Sequence, residues 1–164
     1  MEITFKRIQE NDCDLLFKWV NDESVRKNSF NSRPITYEDH KKWFNNKLKS
    51  NNSLIYICYI NGNAVGQIRI DIEEEIGFID YSIDDNYRGK GYGTQLLIKV
   101  LEELVYSSIK IKKIIGRVKY ENIASQRAFE KSGYVCDRKE DYVEYVMYLK
   151  DESIEQENSD EPTY

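Results

Sequence analysis

A glycine-rich loop between a strand-like segment and a long helix pattern constrains the fold of this chain more than any other feature. The loop reads Arg88-Gly89-Lys90-Gly91-Tyr92-Gly93-Thr94. Glycines let the backbone curl, so that several N–H groups of the following helix point at one place, where the positive end of the helix dipole also lies. Arg88 and Lys90 add full charges and Thr94 adds a hydroxyl. The loop therefore predicts an anion site suited to a diphosphate, and a plain tight turn is the alternative.

Two well-known phosphate-binding loops have a different spacing. A dinucleotide-binding loop needs G-x-G-x-x-G after the first strand of a parallel unit, whereas this chain has G-x-G-x-G after a mid-chain strand pattern. A Walker loop needs Ser or Thr directly after Gly-Lys, and here Gly91 follows Lys90. The loop thus disfavours both of these nucleotide-binding folds.

Hydrophobic periodicity predicts seven strands and four helices. Apolar runs of strand length or alternation occur at residues 3–8, 54–60, 64–72, 76–83, 113–118, 134–137 and 142–149. Helical spacing occurs at 12–21, at 36–49 with Thr36 and Asp39 as a capping pair, beyond the glycine loop through Val105, and at 123–132. Residues 22–34 read as a loop, and Asn61-Gly62-Asn63 predicts an antiparallel hairpin. The order β-α-α-β-β-β-α-β-α-β-β indicates a mixed α/β (α+β) single domain.

Charge and composition exclude several classes of function. Residues 151–164 hold six acids and no base, so the rest of the chain is about neutral despite the net charge of -5. We expect this tail to be a disordered extension of a domain that spans residues 1–150. The basic residues are dispersed among acids, which disfavours nucleic acid, and no apolar run is long enough to cross a membrane. The three cysteines lack metal or redox spacing, so a reduced, cytoplasmic protein is expected.

Two motifs resemble the GNAT N-acetyltransferase superfamily. The glycine loop is similar to its Q/R-x-x-G-x-G/A signature, and residues 122–134 are similar to its N-x-x-S-x-x-x-[YF]-x-K-x-G-[FY] signature. The resemblance covers residues 1 to about 150 and implies a mostly antiparallel sheet of about seven strands with a V-shaped splay between the 76–83 and 113–118 strands. It implies direct acetyl transfer from acetyl-CoA to an amine, with CoA as product and no metal.

The resemblance also assigns the cofactor contacts. The loop would hold the pyrophosphate through Arg88, Gly89, Lys90, Gly91, Tyr92, Gly93 and Thr94. The strand before it would bind the pantetheine arm through Tyr81, Ser82 and Ile83. The second motif would contribute Asn122, Ser125, Phe129 and Lys131, and Asn122 also reads as a helix cap.

The chain departs from the family pattern at the positions of the groups that move protons. The family often places a proton-donating Tyr where this chain has Phe129, so Ser125 is the candidate donor to the departing thiolate, with Tyr120 in reserve. A common family Glu falls on Phe78, so Asp80, two residues further along the same strand face, is the candidate base. Asp80 could equally pair with Arg69. His40, the single histidine, is a second candidate, although such a residue is more often structural.

The N-terminal third resembles acetyltransferases of pseudaminic-acid and related nonulosonate pathways, which acetylate the 4-amino group of a UDP-linked deoxy-amino sugar. The resemblance assigns the acceptor pocket to Arg26, Ser29, Phe30, His40, Trp43 and Gln67. Arginine suits a diphosphate and aromatic rings suit the apolar face of a deoxy sugar. The aromatic residues can instead be core, which is the reading we favour for Trp19. Protein N-terminal acetylation and acetyl-CoA sensing without turnover remain alternatives, and a homodimer is left open.

Overall fold

A seven-stranded sheet runs through residues 2–149, the part of the chain that the computed structural model describes. Its strands are β1 Ile3–Arg7, β2 Ser53–Ile60, β3 Asn63–Glu73, β4 Ile76–Ile83, β5 Lys113–Val118, β6 Val135–Arg138 and β7 Val143–Tyr148. Their spatial order is β1-β2-β3-β4-β5-β7-β6, and β4 with β5 is the parallel pair. The predicted strands and mixed fold are confirmed. The predicted acidic tail lies outside the described residues.

Five α-helices accompany the sheet in residues 2–149, one more than the sequence predicts. They are α1 Cys13–Val20, α2 Glu23–Asn28, α3 Tyr37–Lys49, α4 Tyr92–Tyr106 and α5 Ile123–Lys131. The unpredicted helix is α2. It has no buried residue, so its sequence lacks the apolar stripe from which a helix is predicted. The Asp22 carboxylate caps it by accepting hydrogen bonds from the backbone of Ser24 and Val25.

Local capping and turn signals are confirmed where they were predicted. Thr36 caps α3 by accepting a hydrogen bond from the Asp39 backbone, and Asn122 caps α5 in the same way through Ser125. The β2–β3 hairpin turns through Asn61 and Gly62, whose φ angles of 51° and 79° are those of a type I′ turn.

The two faces of the sheet carry separate cores. On one face, α4 and α5 pack on the sheet through side chains that include Leu96, Leu97 and Phe129. On the other face, α1 and α3 cover β2 through Leu16, Trp19, Phe44, Ile55 and Ile57. Trp19 is thus a core residue, as expected. Val105 is 71% exposed and does not belong to the buried stripe of α4 that the sequence predicts, because the helix ends one residue later, at Tyr106.

The sheet opens between β4 and β5. Their register contains three pairs and ends at Phe78 with Ile115, although β4 continues to Ile83 and β5 to Val118. The V-shaped splay that the resemblance implies is therefore present. It separates the C-terminal halves of two adjacent strands at the centre of the sheet.

An aromatic cluster fills the base of the splay on the α5 side. The Phe129 ring of α5 covers Gly116, the first β5 residue beyond the last pair. The same ring stacks on Tyr145 of β7 with centroids 5.1 Å apart, and it meets the Tyr81 ring of β4 edge-on at 5.9 Å. One buried side chain thus contacts both arms of the splay.

We predict that Gly116→Ala destabilises the fold, because the new Cβ would lie 2.6 Å from Cε1 of Phe129. Overpacking of this kind costs about 1–3 kcal/mol, measurable as a lower free energy of unfolding in urea. Adding Phe129→Leu should restore space, so the double variant should lose less than the sum of the two single losses. If the two losses in free energy of unfolding add up in the double variant, the Phe129 ring does not pack against Gly116.

Candidate active site

The glycine loop enters α4 in the geometry of an anion site. Gly89 and Gly91 adopt left-handed backbone conformations with φ of 75° and 79°, which glycine tolerates best, and Gly91 is the N-cap of α4. Gly91 has no side chain with which to cap this helix, and the first-turn N–H groups of an α-helix point out of its N-terminal end. The Lys90 side chain is exposed at the loop, and Thr94 is half-buried in the first turn. The loop backbone, Lys90 and Thr94 thus lie together at the start of α4, and their contact with a phosphate stays a prediction.

The structure gives the Arg88 side chain a different function from the predicted phosphate contact. Its guanidinium donates to the Ile83 carbonyl at 3.0 Å, to Asp85 at 3.1 Å and to Asp22 at 2.8 Å. Two carboxylates therefore already neutralise its charge. Arg88 fastens the glycine loop to the start of α2, and the positive charge facing solvent here belongs to Lys90.

The Asp22 carboxylate is held by the same contacts. Desolvation acts to raise the pKa of Asp22, but the hydrogen bond from Arg88, those from the Val25 and Ser24 backbone, and the Arg88 charge outweigh it, so the pKa lies below its ordinary value. Asp22 thus caps α2 and pairs with Arg88 at once. This double contact holds the start of α2 beside the glycine loop.

Two hydroxyls meet across the splay on the α4 and α5 side. The Tyr81 and Ser125 hydroxyl oxygens lie 3.1 Å apart, so β4 and the first turn of α5 are joined by one hydrogen bond. Burial raises the pKa of Tyr81; the Ser125 hydrogen bond opposes this shift, and the charge of Asp80 adds to it. Tyr81 is therefore a protonated phenol at neutral pH. The partner of the predicted donor Ser125 is thus Tyr81, for which the sequence predicts only a pantetheine contact.

Other predicted cofactor residues differ in accessibility. Phe129 is 2% exposed and offers almost no surface to a ligand, so its predicted contact is replaced by core packing. The Ser82 hydroxyl accepts from Gln67 at 3.2 Å, and the Ile83 carbonyl accepts from Arg88. Lys131 is exposed at the end of α5.

Asp80 lies on the opposite face of β4 from Tyr81, two residues beyond the last β4–β5 pair. Its side chain is 59% exposed rather than partly buried as expected. Gln67 donates to its carboxylate at 3.4 Å, and the Arg69 guanidinium lies 4.0 Å away, which is the alternative pairing considered from the sequence. The carboxylate is thus accessible at the edge of the splay.

His40 is a structural residue. It is 2% exposed, and its Nε2 lies 2.8 Å from the Cys13 carbonyl oxygen. Because a carbonyl only accepts, Nε2 carries the proton. The ring packs among Phe17, Trp43 and Phe44. Burial between α1 and α3 therefore contradicts the predicted roles as base and as acceptor contact.

Arg26 and Ser29 organise their own loop. The Arg26 guanidinium donates to the backbone carbonyls of Val20, Asn31 and Arg33 and to the Ser29 hydroxyl, at 2.6–3.2 Å. Ser29 in turn donates to the Val25 carbonyl at 2.6 Å. The predicted diphosphate contact of Arg26 is therefore replaced by four protein acceptors.

A face of aromatic and polar side chains surrounds Asp80. The Arg69 guanidinium lies 5.4 Å from the Trp43 ring centroid, and Arg117 lies 5.2 Å from the Phe78 ring and 5.7 Å from the Tyr142 ring. Phe30 is 59% exposed and meets Tyr142 edge-on at 6.0 Å. Sequence reasoning missed Arg117 and Tyr142. Arg117 lies in β5 and Tyr142 directly before β7. Neither position belongs to a motif, and only the fold brings the two side chains beside β4.

Tyr120 donates its hydroxyl proton to the Lys139 carbonyl, so the reserve donor is engaged after β5. Among residues 2–149, no group of three or more His, Cys, Asp or Glu side chains is placed to hold a metal ion. Within the same residues, none of the helices combines the length and apolar composition that crossing a membrane requires.

Comparison with known proteins places this geometry in a family. Residues 2–135 match the family model described as the acetyltransferase (GNAT) domain. The chain is 23% identical over 133 residues to an uncharacterised N-acetyltransferase, YfmK, of Bacillus subtilis strain 168, covering 81% of this chain and 85% of that protein.

Solved structures share the fold at low sequence identity. An aminoglycoside acetyltransferase, AAC(6')-Ib, in complex with coenzyme A and kanamycin has a TM-score of 0.75 at 20% identity, covering 90% of this chain and 95% of that one. RimL, a ribosomal L7/L12 alpha-N-protein acetyltransferase in complex with coenzyme A, has a TM-score of 0.76 at 12% identity, covering 90% and 94%.

We predict that Asp22→Asn lowers the free energy of unfolding at pH 7 by about 1 kcal/mol, since it removes a charged hydrogen bond. The folded-state pKa of Asp22 lies below its unfolded value. This stability is thus complete above the ordinary Asp pKa of about 4 and is lost as the pH falls through the folded-state pKa. The difference between variant and wild type should shrink accordingly in urea titrations at successive pH values.

Asp85→Asn is the matched control, because Asp85 pairs with the same Arg88 but its side chain is 78% exposed, against 25% for Asp22. Its loss should be smaller. Equal losses, or none for Asp22→Asn, would contradict the anchoring role of the Asp22 pair.

Proposed function

The chain belongs to the acetyltransferase (GNAT) family, and from this premise we propose that it transfers the acetyl group of acetyl-CoA directly to the primary amine of an amino sugar. It is an N-acetyltransferase whose cofactor is acetyl-CoA. The observation that carries the acceptor proposal is the face around Asp80, where polar groups lie between aromatic rings at the open edge of the splay. Sugar rings bind in this way, with hydroxyls on polar groups and apolar faces on aromatics.

The residues present fit acetyl-CoA. The left-handed glycines at 89 and 91, the first turn of α4 and the Lys90 ammonium suit a pyrophosphate. The end of β4–β5 pairing at Phe78 leaves a gap beside the backbone of β4 for an extended arm. When bound, acetyl-CoA supplies a thioester carbonyl for attack by the amine. The Arg88 side chain does not belong to the proposed phosphate contacts, because its guanidinium pairs with Asp22 and Asp85.

The chain itself must take a proton from the amine and supply one to the leaving sulfur. We assign the first task to Asp80, whose exposed carboxylate lies beside the splay. Gln67 and Arg69 orient it from β3. The second task belongs to the α5 side, where Ser125 lies. The backbone of β4 beyond Phe78 is available to polarise the carbonyl oxygen.

The acceptor predicted from the sequence is a UDP-linked deoxy-amino sugar. Its diphosphate needs a binding site, which Arg26 does not provide. An open groove of about 480 Å³ lies beside the splay, lined by Lys27, Phe30, Lys119 and Tyr142 together with the acids Glu121 and Asp141. The two lysines suit a diphosphate and the two rings suit a nucleobase. The shared fold of an aminoglycoside acetyltransferase supports amino sugars as a class. We place the reaction in the cytoplasm.

The second candidate acceptor is a protein N-terminus. The same groove is open and carries both charge signs, which also suits an extended peptide with mixed side chains. The shared fold of RimL, a protein acetyltransferase, is in keeping with this reading.

Release of CoA thiol should therefore be fastest with an amino-sugar acceptor. We predict turnover with a UDP-linked deoxy sugar that carries a 4-amino group above that with kanamycin, and little with a ribosomal N-terminal peptide, when all are assayed at equal concentration with acetyl-CoA. Turnover of the peptide alone would overturn the amino-sugar proposal. Turnover of kanamycin alone would support an amino sugar as acceptor and contradict the nucleotide part of the proposal.

Asp80→Asn should lower kcat at neutral pH by about 100-fold, because the carboxylate that takes the amine proton is lost. Acetyl-CoA affinity, measured by calorimetry, should stay unchanged. Glu102→Gln is the matched control, since Glu102 is an exposed carboxylate on α4, away from the face of Asp80. A wild-type kcat in Asp80→Asn would remove the base assignment.

A further inference from the structure

We propose that the Tyr81 and Ser125 hydroxyls act as one proton donor for the sulfur that leaves in acetyl transfer. This inference rests on the acetyltransferase function proposed above and adds Tyr81 to the reacting groups. The family residue expected for this task is replaced by Phe129, which has no hydroxyl and is 2% exposed. The hydroxyl pair lies next to that position, since the Phe129 ring contacts the Tyr81 ring and Ser125 is one turn earlier on α5.

The position of the pair is fixed from three sides. Tyr81 extends from β4 within the splayed half of the strand. Its ring lies under the first turn of α4, because a Cβ on Gly93 would be 3.0 Å from Tyr81 Cε2 and 3.3 Å from its hydroxyl. Ser125 is held by the α5 cap, where its backbone N–H donates to Asn122. Neither hydroxyl can move far without breaking a packed contact.

Hydrogen-bond accounting leaves one proton for a third partner. Two hydroxyls carry two protons, and the single bond of 3.1 Å between them uses one. If Tyr81 donates to Ser125, the Ser125 proton remains; if the direction reverses, the Tyr81 proton remains. Because hydroxyls rotate and exchange these roles easily, the pair presents one O–H donor in either state.

Electrostatics favours donation from this place. Tyr81 packs on the N-terminal turn of α4, and Ser125 lies in the N-terminal turn of α5. The positive ends of both helix dipoles therefore face the oxygen that becomes negative when the proton leaves. Burial raises the pKa of Tyr81, so the pair starts fully protonated at neutral pH. The carboxylate of Asp80 points to the other face of β4 and takes no part in the bond.

The proton balance closes without another reactant. The reaction forms a C–N bond and breaks a C–S bond, whose electron pair stays on sulfur. The hydroxyl pair gives one proton to that sulfur, which becomes the thiol. The amine nitrogen loses one proton to Asp80 and then to water, and one solvent proton restores the hydroxyl pair.

Kinetics of the two single variants and the double variant test the pair as a unit. Tyr81→Phe and Ser125→Ala should each lower kcat by about 100-fold with the best acceptor, and the double variant should be no slower than the worse single one. Ser125→Thr, which keeps a hydroxyl, should recover most of the rate. Tyr134→Phe is the matched control, because the buried Tyr134 hydroxyl has no hydrogen-bond partner among residues 2–149 and its ring also contacts Phe129. Multiplicative losses, or a normal rate in Tyr81→Phe, would overturn the proposal.

Binding without an acceptor separates this inference from the proposed function. Calorimetry should show wild type binding CoA about five-fold more tightly than desulfo-CoA, because the pair donates to the sulfur. The preference should disappear in Tyr81→Phe and in Ser125→Ala and persist in Tyr134→Phe. A preference that persists in the first two variants contradicts the donor pair. If the preference for CoA disappears in Tyr81→Phe and Ser125→Ala but wild type turns over no amino sugar, the result supports the donor pair and contradicts the proposed acceptor.

Discussion

The packing of Phe129 on Gly116 is the contact on which the active-site geometry depends. Gly116 is the first residue of β5 beyond its last pair with β4, and the ring that covers it also touches Tyr81 of β4 and Tyr145 of β7. Each such aromatic contact contributes about 0.5–1.5 kcal/mol beyond burial. The cluster therefore stabilises two strands that have stopped pairing, at the point where ladder hydrogen bonds no longer hold them. A flexible gap would lose the fixed distances that proton transfer requires.

Local sequence signals predict most of this architecture because each acts over a few residues. The cap at Thr36, the turn at Asn61 and Gly62, and the cap at Asn122 all form between neighbours in the chain. Period-two patterns predict the strands and helical spacing predicts the helices, because each buried face needs apolar side chains. Helix α2 was not predicted because it buries no residue and therefore has no apolar pattern. Its capping residue, Asp22, was assigned to a loop.

The site is less predictable because a charged residue type does not reveal its partner. Arg88 and Asp22 are 66 positions apart, and their ion pair appears only when α2 folds back against the glycine loop. Arg26 reads as a diphosphate contact in the sequence, yet four neighbouring acceptors use its donors. His40 looks like a titratable base and instead donates to the Cys13 carbonyl inside a core. In each case burial and long-range packing decide the role.

In the reaction that we propose, the alternation of β4 lets one strand serve both ends of the acetyl transfer. Asp80 and Tyr81 are adjacent in sequence, and the pleat sends their side chains to opposite faces of the sheet. On one face, Asp80 lies among Gln67 and Arg69, open to solvent. On the other, the Tyr81 hydroxyl meets Ser125 beneath two helix termini. A base needs access to its amine and an acid needs its proton retained until the bond breaks, so exposure suits the first face and burial the second. The splay is the place where a single reacting group can reach both.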